Sequence, residues 1–173
     1  LFYGSAATLW RINLGWRRRK AQEAEGFLLD TQTGRWQPNK ELQEESDDPE
    51  SDLTGRVERV IPYVEDRRNA LLVVPADHLD PQQMASLQAA LKQGVQITYQ
   101  LEESELAAEP LPSSADRRRI LLYESAEGGA GVLRQILADP NALREVAKAA
   151  LSVCHFDPDT GADNKRAPGM EED

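Results

Sequence analysis

The chain has 173 residues, an apolar fraction of 40%, a charged fraction of 29% and a net charge of -10. That is about one domain's worth of protein, and no apolar run approaches the ~20 residues needed to cross a bilayer. A single cysteine, Cys154, excludes an internal disulfide framework, and the acidic balance excludes a globally basic nucleic-acid coat.

The chain opens on Leu1-Phe-Tyr-Gly4 without a charged-then-apolar leader, and it reads as a fragment of a larger polypeptide. Residues 1–40 are expected to form a strand and hairpin region. Thr8, Trp10, Ile12, Leu14 and Trp16 alternate with other residues at period two, which predicts a strand. Trp10 and Trp16 fall on one face of it; packing in a core is the usual role of such a pair, and base stacking is the alternative. Gly26 to Gln37 predicts a hairpin, with Gly34 free to take a positive φ at its turn. Residues 41–55 then form an acidic mobile loop: from Glu41 to Asp52 there is no basic residue and one apolar side chain, too little to offset the entropy of ordering.

Residues 56–156 are expected to hold an α/β core. Arg56–Val64 is extended, with Pro62 at an edge or bulge because it cannot donate to a ladder. Residues 66–69 predict a turn and residues 70–74 a short apolar strand. Asp80-Pro81 opens a helix carrying Met84, Leu87 and Leu91, and Gly94 is a natural stop. The alternation from Val95 to Leu101 predicts a strand; a helix running on through Gly94 to about Gln100 is the competing reading. Residues 110–115 predict a linker, Arg117–Tyr123 a strand, and Val132, Leu133, Ile136 and Leu137 one face of a helix. Asp139-Pro140 is expected to cap a further helix with Leu143, Val146, Ala147, Ala150 and Leu151 as its stripe. Residues 157–173 form a polar tail that begins with turn chemistry at Asp157–Gly161. The fold class is α+β, mainly antiparallel, with C-terminal helices.

Four motifs could carry chemistry. Gly128, Gly129 and Gly131, between a strand and a helix, could aim backbone N–H groups at an anion, or could simply permit a tight turn. The Gly-Lys-Ser/Thr ending of a nucleotide loop is missing. Cys154-His155 are chemically suited to zinc, with the distant His78 as the one other soft donor; the other reading makes Cys154 a buried small apolar residue at a helix end. The runs Arg17-Arg18-Arg19 and Arg117-Arg118-Arg119 could contact phosphates or lie solvated among acidic neighbours such as Asp116 and Glu124. Glu124 and Glu127 flank the glycine turn, but no nucleophile or base can be assigned roles, and no catalytic residue is placed.

Several segments, in order, carry a family resemblance: Ala6–Arg19 (AATLWRINLGWRRR), Gly26–Asp30 (GFLLD), Val64–Leu72 (VEDRRNALL), Leu121–Val132 with Leu133 (LLYESAEGGAGVL) and Cys154–Pro158 (CHFDP). Together they resemble the helicase-associated C-terminal domain of the DrmB family, a core component of the DISARM anti-phage system. The resemblance spans nearly the whole chain outside the acidic loop. It implies a cytoplasmic, non-catalytic structural and DNA-engaging subunit that partners DrmA, an ATP-dependent helicase-like protein. It further implies a zinc site in which Cys154 joins cysteines further along the chain; none follows here, so the remaining ligands are expected outside this chain. On this reading Gly128, Gly129 and Gly131 shape the domain, while Arg17, Arg18, Arg19, Arg117, Arg118 and Arg119 are the candidate DNA or partner contacts. Related domains also close helicases of DNA repair, which makes such a C-terminal domain the first alternative. A metal-dependent nuclease or nucleotide hydrolase using the glycine turn with Glu124 and Glu127 is the second.

Overall fold

A computed structural model describes residues 1–15, 25–37, 57–126 and 128–163, and among these described residues alternating and clustered apolar side chains organise seven strands and three helices. In chain order these are β1 (Phe2–Ile12), β2 (Phe27–Asp30), β3 (Arg35–Gln37), β4 (Val57–Val60), β5 (Tyr63–Val73), α1 (Pro81–Tyr99), β6 (Leu106–Pro112), β7 (Arg117–Glu124), α2 (Val132–Ala138) and α3 (Ala142–Val153). The acidic segment expected at 41–55, Trp16, Arg17–Arg19, Glu127 and residues 164–173 of the expected tail lie outside the described residues. The fold is α+β, and every strand pair with an assigned register is antiparallel.

The chain divides into two units, one of Leu1–Leu9 with Asp66–Asp173 and one of Trp10–Glu65. In the smaller unit β2 sits between β3 and β4. The hairpin expected from Gly26 to Gln37 forms as β2 and β3. Asp30 closes its turn by accepting from the backbone N–H groups of Gln32 and Thr33 and from the Thr33 hydroxyl, and Gly34 takes φ 69°. Pro62 falls between β4 and β5, where the missing N–H interrupts the extended run.

The larger unit is built on a sheet of order β1-β5-β7-β6. β7 is its spine, pairing with β5 from Ala70↔Tyr123 to Val73↔Ile120 and with β6 from Leu106↔Glu124 onward. Leu71, Leu106, Ile120 and Leu122 from these strands pack with Met84 and Val95 of α1, Val132, Leu133 and Ile136 of α2, and Val146 of α3 in one buried cluster. Two expectations yield to the sheet here. Residues 66–69, read as a turn, continue β5, and the segment read as a linker from Pro110 supplies the end of β6. In both cases long-range pairing overrides the local preference of Asp, Asn and Pro for turns.

The strand expected over Val95–Leu101 does not form; α1 runs on to Tyr99 and ends at Gln100 in the left-handed region. Its start is as read from Asp80-Pro81: the Asp80 carboxylate accepts from Gln82 and Gln83, and the Gln83 side chain accepts from the Asp80 N–H, a closed capping box. Gly94 is no stop. It is buried in mid-helix because α3 crosses there: a Cβ on Gly94 would lie 2.6 Å from the Val146 carbonyl oxygen and 3.1 Å from the Ala150 Cβ. The Thr98 hydroxyl donates back to the Gly94 carbonyl at 2.7 Å. Nor does Asp139 cap α3 directly. The N-cap is Asn141, which makes no side-chain cap bond, and the Asp139 carboxylate accepts from the Asn141 N–H one step upstream.

Helix propensity alone favours alanine over glycine by about 1 kcal/mol. Gly94→Ala is nonetheless expected to destabilise the chain by about 1–3 kcal/mol, because two helix backbones must move apart. Urea unfolding of Gly94→Ala beside the exposed control Gln93→Ala checks this, and a Gly94→Ala chain as stable as the control would sink it.

Candidate functional site

The glycine turn joins the end of β7 to α2, a seven-residue helix whose N-cap is Gly131. Glycine has no side chain with which to cap, so the first N–H groups of α2 need acceptors from elsewhere. Glu124, the last residue of β7, supplies them. Its side chain is 2% exposed. One carboxylate oxygen accepts from the Leu133 N–H at 3.0 Å, and the other from the Gly131 N–H at 3.1 Å and the Asn69 amide at 3.0 Å. Asn69, on β5, also donates to the Gly128 carbonyl. A single carboxylate thus ties β5, β7, the turn and α2 together.

Of the two readings of Gly128, Gly129 and Gly131, this geometry favours the turn. All three have positive φ, and a Cβ on Gly129 would run into the Glu124 carboxylate. Two of the N–H groups that an external phosphate would need are already bonded to the chain's own anion. An open cleft of about 680 Å³ lies outside the turn, bordered by Tyr3, Ser5, Asn69 and Arg134. Glu124, fully engaged beneath it, is poorly placed to serve as a metal ligand or general base.

The arginines of β7 diverge. Arg117 is half-buried and donates to the Gln88 side chain of α1 at 3.0 Å and to the Ser114 carbonyl at 3.1 Å. The register passes from Leu111↔Arg119 to Pro112↔Arg117, which leaves Arg118 as the extra residue of a bulge, ion-paired to Asp116 at 2.9 Å. Both of those side chains are well exposed, so the pair is worth little in water. Arg119 is exposed. Asp77, His78 and Arg118 border a second cleft of about 540 Å³.

Trp10 does not join a core. It is 56% exposed and stacks on Tyr63 with ring centroids 5.0 Å apart and planes 7° from parallel. Period two marked the strand only as far as Ile12, since β1 runs from Phe2 to Ile12 and Leu14 lies beyond it, and alternation does not say which face is covered.

Cys154 is the C-cap of α3 and is exposed, which corrects the reading of a buried apolar residue at this helix end. His155 follows with φ 64° and is exposed as well. The next residues close a carboxylate-centred turn: Asp157 accepts from the N–H groups of Asp159 and Thr160 and from the Thr160 hydroxyl. Those bonds hold its carboxyl below the ordinary aspartate range, the Thr160 backbone bond being the largest cause. Phe156 and Asp163 form a β-bridge across the turn, and Lys148 of α3 pairs with Asp159 at 2.6 Å. No three His, Cys, Asp or Glu side chains gather into a metal-holding group among the described residues.

Comparison with known proteins bears on this region. Residues 87–159 match the family model of the MrfA Zn-binding domain. The match takes in most of α1, β6, β7, the glycine turn, α2, α3 and the start of the Asp157 turn, and covers less than half of the chain. No curated protein matches the chain. A crystal structure of a DUF1998 helicase, MrfA, bound to DNA aligns over 96% of this chain and 23% of its own length, at 10% identity and a TM-score of 0.40. No helix among the described residues is long and apolar enough to cross a membrane.

Asn69 and Gln88 escaped the sequence reading, since their partners lie 55 and 29 residues away. Glu124 left one legible signal: a carboxylate at a strand end shortly before a helix that opens on glycine and has no Ser, Thr, Asp or Asn to cap it.

Gly129→Ala is expected to cost about 3 kcal/mol, combining an unfavourable positive φ with displacement of the Glu124 carboxylate. Chemical denaturation measures it, and an unchanged midpoint would contradict the close approach. For Asp157 the folded carboxyl is depressed, so its contribution is fully present above the unfolded pKa and is lost as pH falls through the folded value. Amide exchange at Asp159 and Thr160 is therefore expected to quicken, beyond the intrinsic pH effect, as pH falls below the ordinary aspartate range. Asp157→Ala should abolish that step.

Proposed function

We propose that this chain is an accessory module of a DNA helicase system, structural and DNA-engaging, with no chemistry of its own. The observation that carries this reading is the match of residues 87–159 to a domain named for MrfA, which is itself a helicase. The ordered motifs from Ala6 to Pro158 take the reading further, to a DISARM-like anti-phage complex in the cytoplasm with a DrmA-like helicase as partner. The glycine turn supports the non-catalytic half of the proposal, because its buried carboxylate is consumed in holding the fold. A second reading places the same module at the C-terminus of a DNA-repair helicase, favoured by the matched domain's being named for a helicase rather than for a separate subunit. A nuclease or nucleotide hydrolase built on Glu124 is disfavoured by that residue's engagement.

Of the three candidate arginines on β7, Arg119 and Arg118 are the better placed for phosphate, since Arg117 is committed to Gln88 and Ser114. In the presence of the helicase partner, fluorescence anisotropy with labelled DNA should show salt-sensitive binding. Replacing Arg118 and Arg119 with Ala should weaken that binding several-fold and reduce the magnitude of the salt slope by about one to two. Co-purification of a helicase-like subunit with the natural protein supports the DISARM-like form. Helicase motifs on the same polypeptide support the repair form. Metal-dependent DNA or nucleotide hydrolysis by the chain, lost in Glu124→Gln at unchanged stability, would overturn both.

A further inference from the structure

We infer that this chain folds without a zinc ion of its own, and that the segment matching a zinc-binding domain is closed here by two carboxylates. The donor inventory is the first ground. The whole sequence holds one cysteine and two histidines, whereas a structural zinc site is closed by four ligands, drawn mainly from Cys and His. Cys154 and His155 are adjacent on the exposed end of α3, while His78 precedes α1 in the chain. The residues outside the described ones contain no Cys or His, and no three potential ligands gather among the described residues. The set present does not fit a closed site.

The second ground is what occupies the places that need tying down. A structural metal stabilises a small domain by pinning loops that have too little core beneath them. Among the connections next to the helices in this region are the turn between β7 and α2 and the segment that follows α3. Glu124 pins the first, accepting from Leu133, Gly131 and Asn69 while almost completely buried. Asp157 pins the second, which runs past the matched residues to Asp163, with three hydrogen bonds from Asp159 and Thr160, a bridge between Phe156 and Asp163, and the Lys148–Asp159 pair back to α3. Each carboxylate takes N–H or hydroxyl donors from the connection itself, which is the loop-closing work that a metal does through its ligands. Cys154 is left as an exposed helix end, so zinc, where it is held near this module, must draw its other donors from outside these 173 residues.

The test is made on the full chain produced in zinc-supplemented medium. Elemental analysis is expected to find far less than one zinc per chain, and a strong chelator should leave the melting temperature unchanged. Cys154→Ser should alter neither quantity. Glu124→Gln keeps the shape but removes the charge, and it should lower the melting temperature by about 5 °C. Stoichiometric zinc that is lost in Cys154→Ser would overturn the inference, as would a fall in melting temperature on chelation. A Glu124→Gln chain that melts with the unaltered protein would overturn the assignment of closure to that carboxylate. Metal content and chelator response are read on the unaltered chain, so they decide the matter even where a variant folds poorly.

Discussion

The carboxylate of Glu124 is the contact on which the larger unit depends. A short helix opening on glycine brings unsatisfied N–H groups to the edge of an apolar core, and a buried, unbonded donor there would cost on the order of 1–3 kcal/mol. Glu124 satisfies Gly131 and Leu133 together, and Asn69 from β5 completes the shell around it. The burial of a charge is tolerable because every donor facing it is directed at it. The glycines are then a consequence: Gly129 must lack a side chain for the carboxylate to sit where it does. What looks in the sequence like a loop open to phosphate is a loop already filled by the protein's own anion.

With the turn held, α2 lies on β7 and contributes Val132, Leu133 and Ile136 to the core, and α3 follows by a short connection. The second constraint acts at that point. α3 reaches the core cluster through Val146, and it comes close enough to α1 only because Gly94 has no Cβ. Two glycine positions with different physics therefore set the helical layer: one makes room for a carboxylate, the other for a backbone. Leucine and valine supply the burial, but the missing side chains decide the distances.

This architecture also separates the parts that hold the fold from the parts free to meet a partner. Glu124, Asn69, Gln88 and Arg117 are spent internally. Arg119, Arg134, Cys154 and His155, and in the smaller unit the Trp10–Tyr63 stack, face solvent. The polar groups of the turn are saturated, while these arginines and the aromatic pair lie on the outside.

Much of this was legible in the chain itself. Asp80-Pro81 marked a helix start because a carboxylate N-cap followed by proline is satisfied by local geometry alone, and the hairpin at Gly34, the strand Arg117–Tyr123 and the Asp157 turn were equally local. The same reading preferred a strand at Val95–Leu101 over the helix through Gly94 that forms, placed residues 66–69 in a turn, and set a core role for Trp10 before base stacking and a buried helix end for Cys154 before a zinc site. Each of those depends on a partner far away in sequence. Gly94 ends a helix or admits a neighbour according to whether α3 crosses it; residues 66–69 turn or extend according to whether β5 continues in the sheet; an alternating strand hides whichever face its neighbours cover. Local hydrogen bonds and dihedral preferences are written in a few consecutive residues. Burial, helix crossing and the filling of the glycine turn by Glu124 arise only when segments tens of residues apart meet, and there the tertiary structure decided.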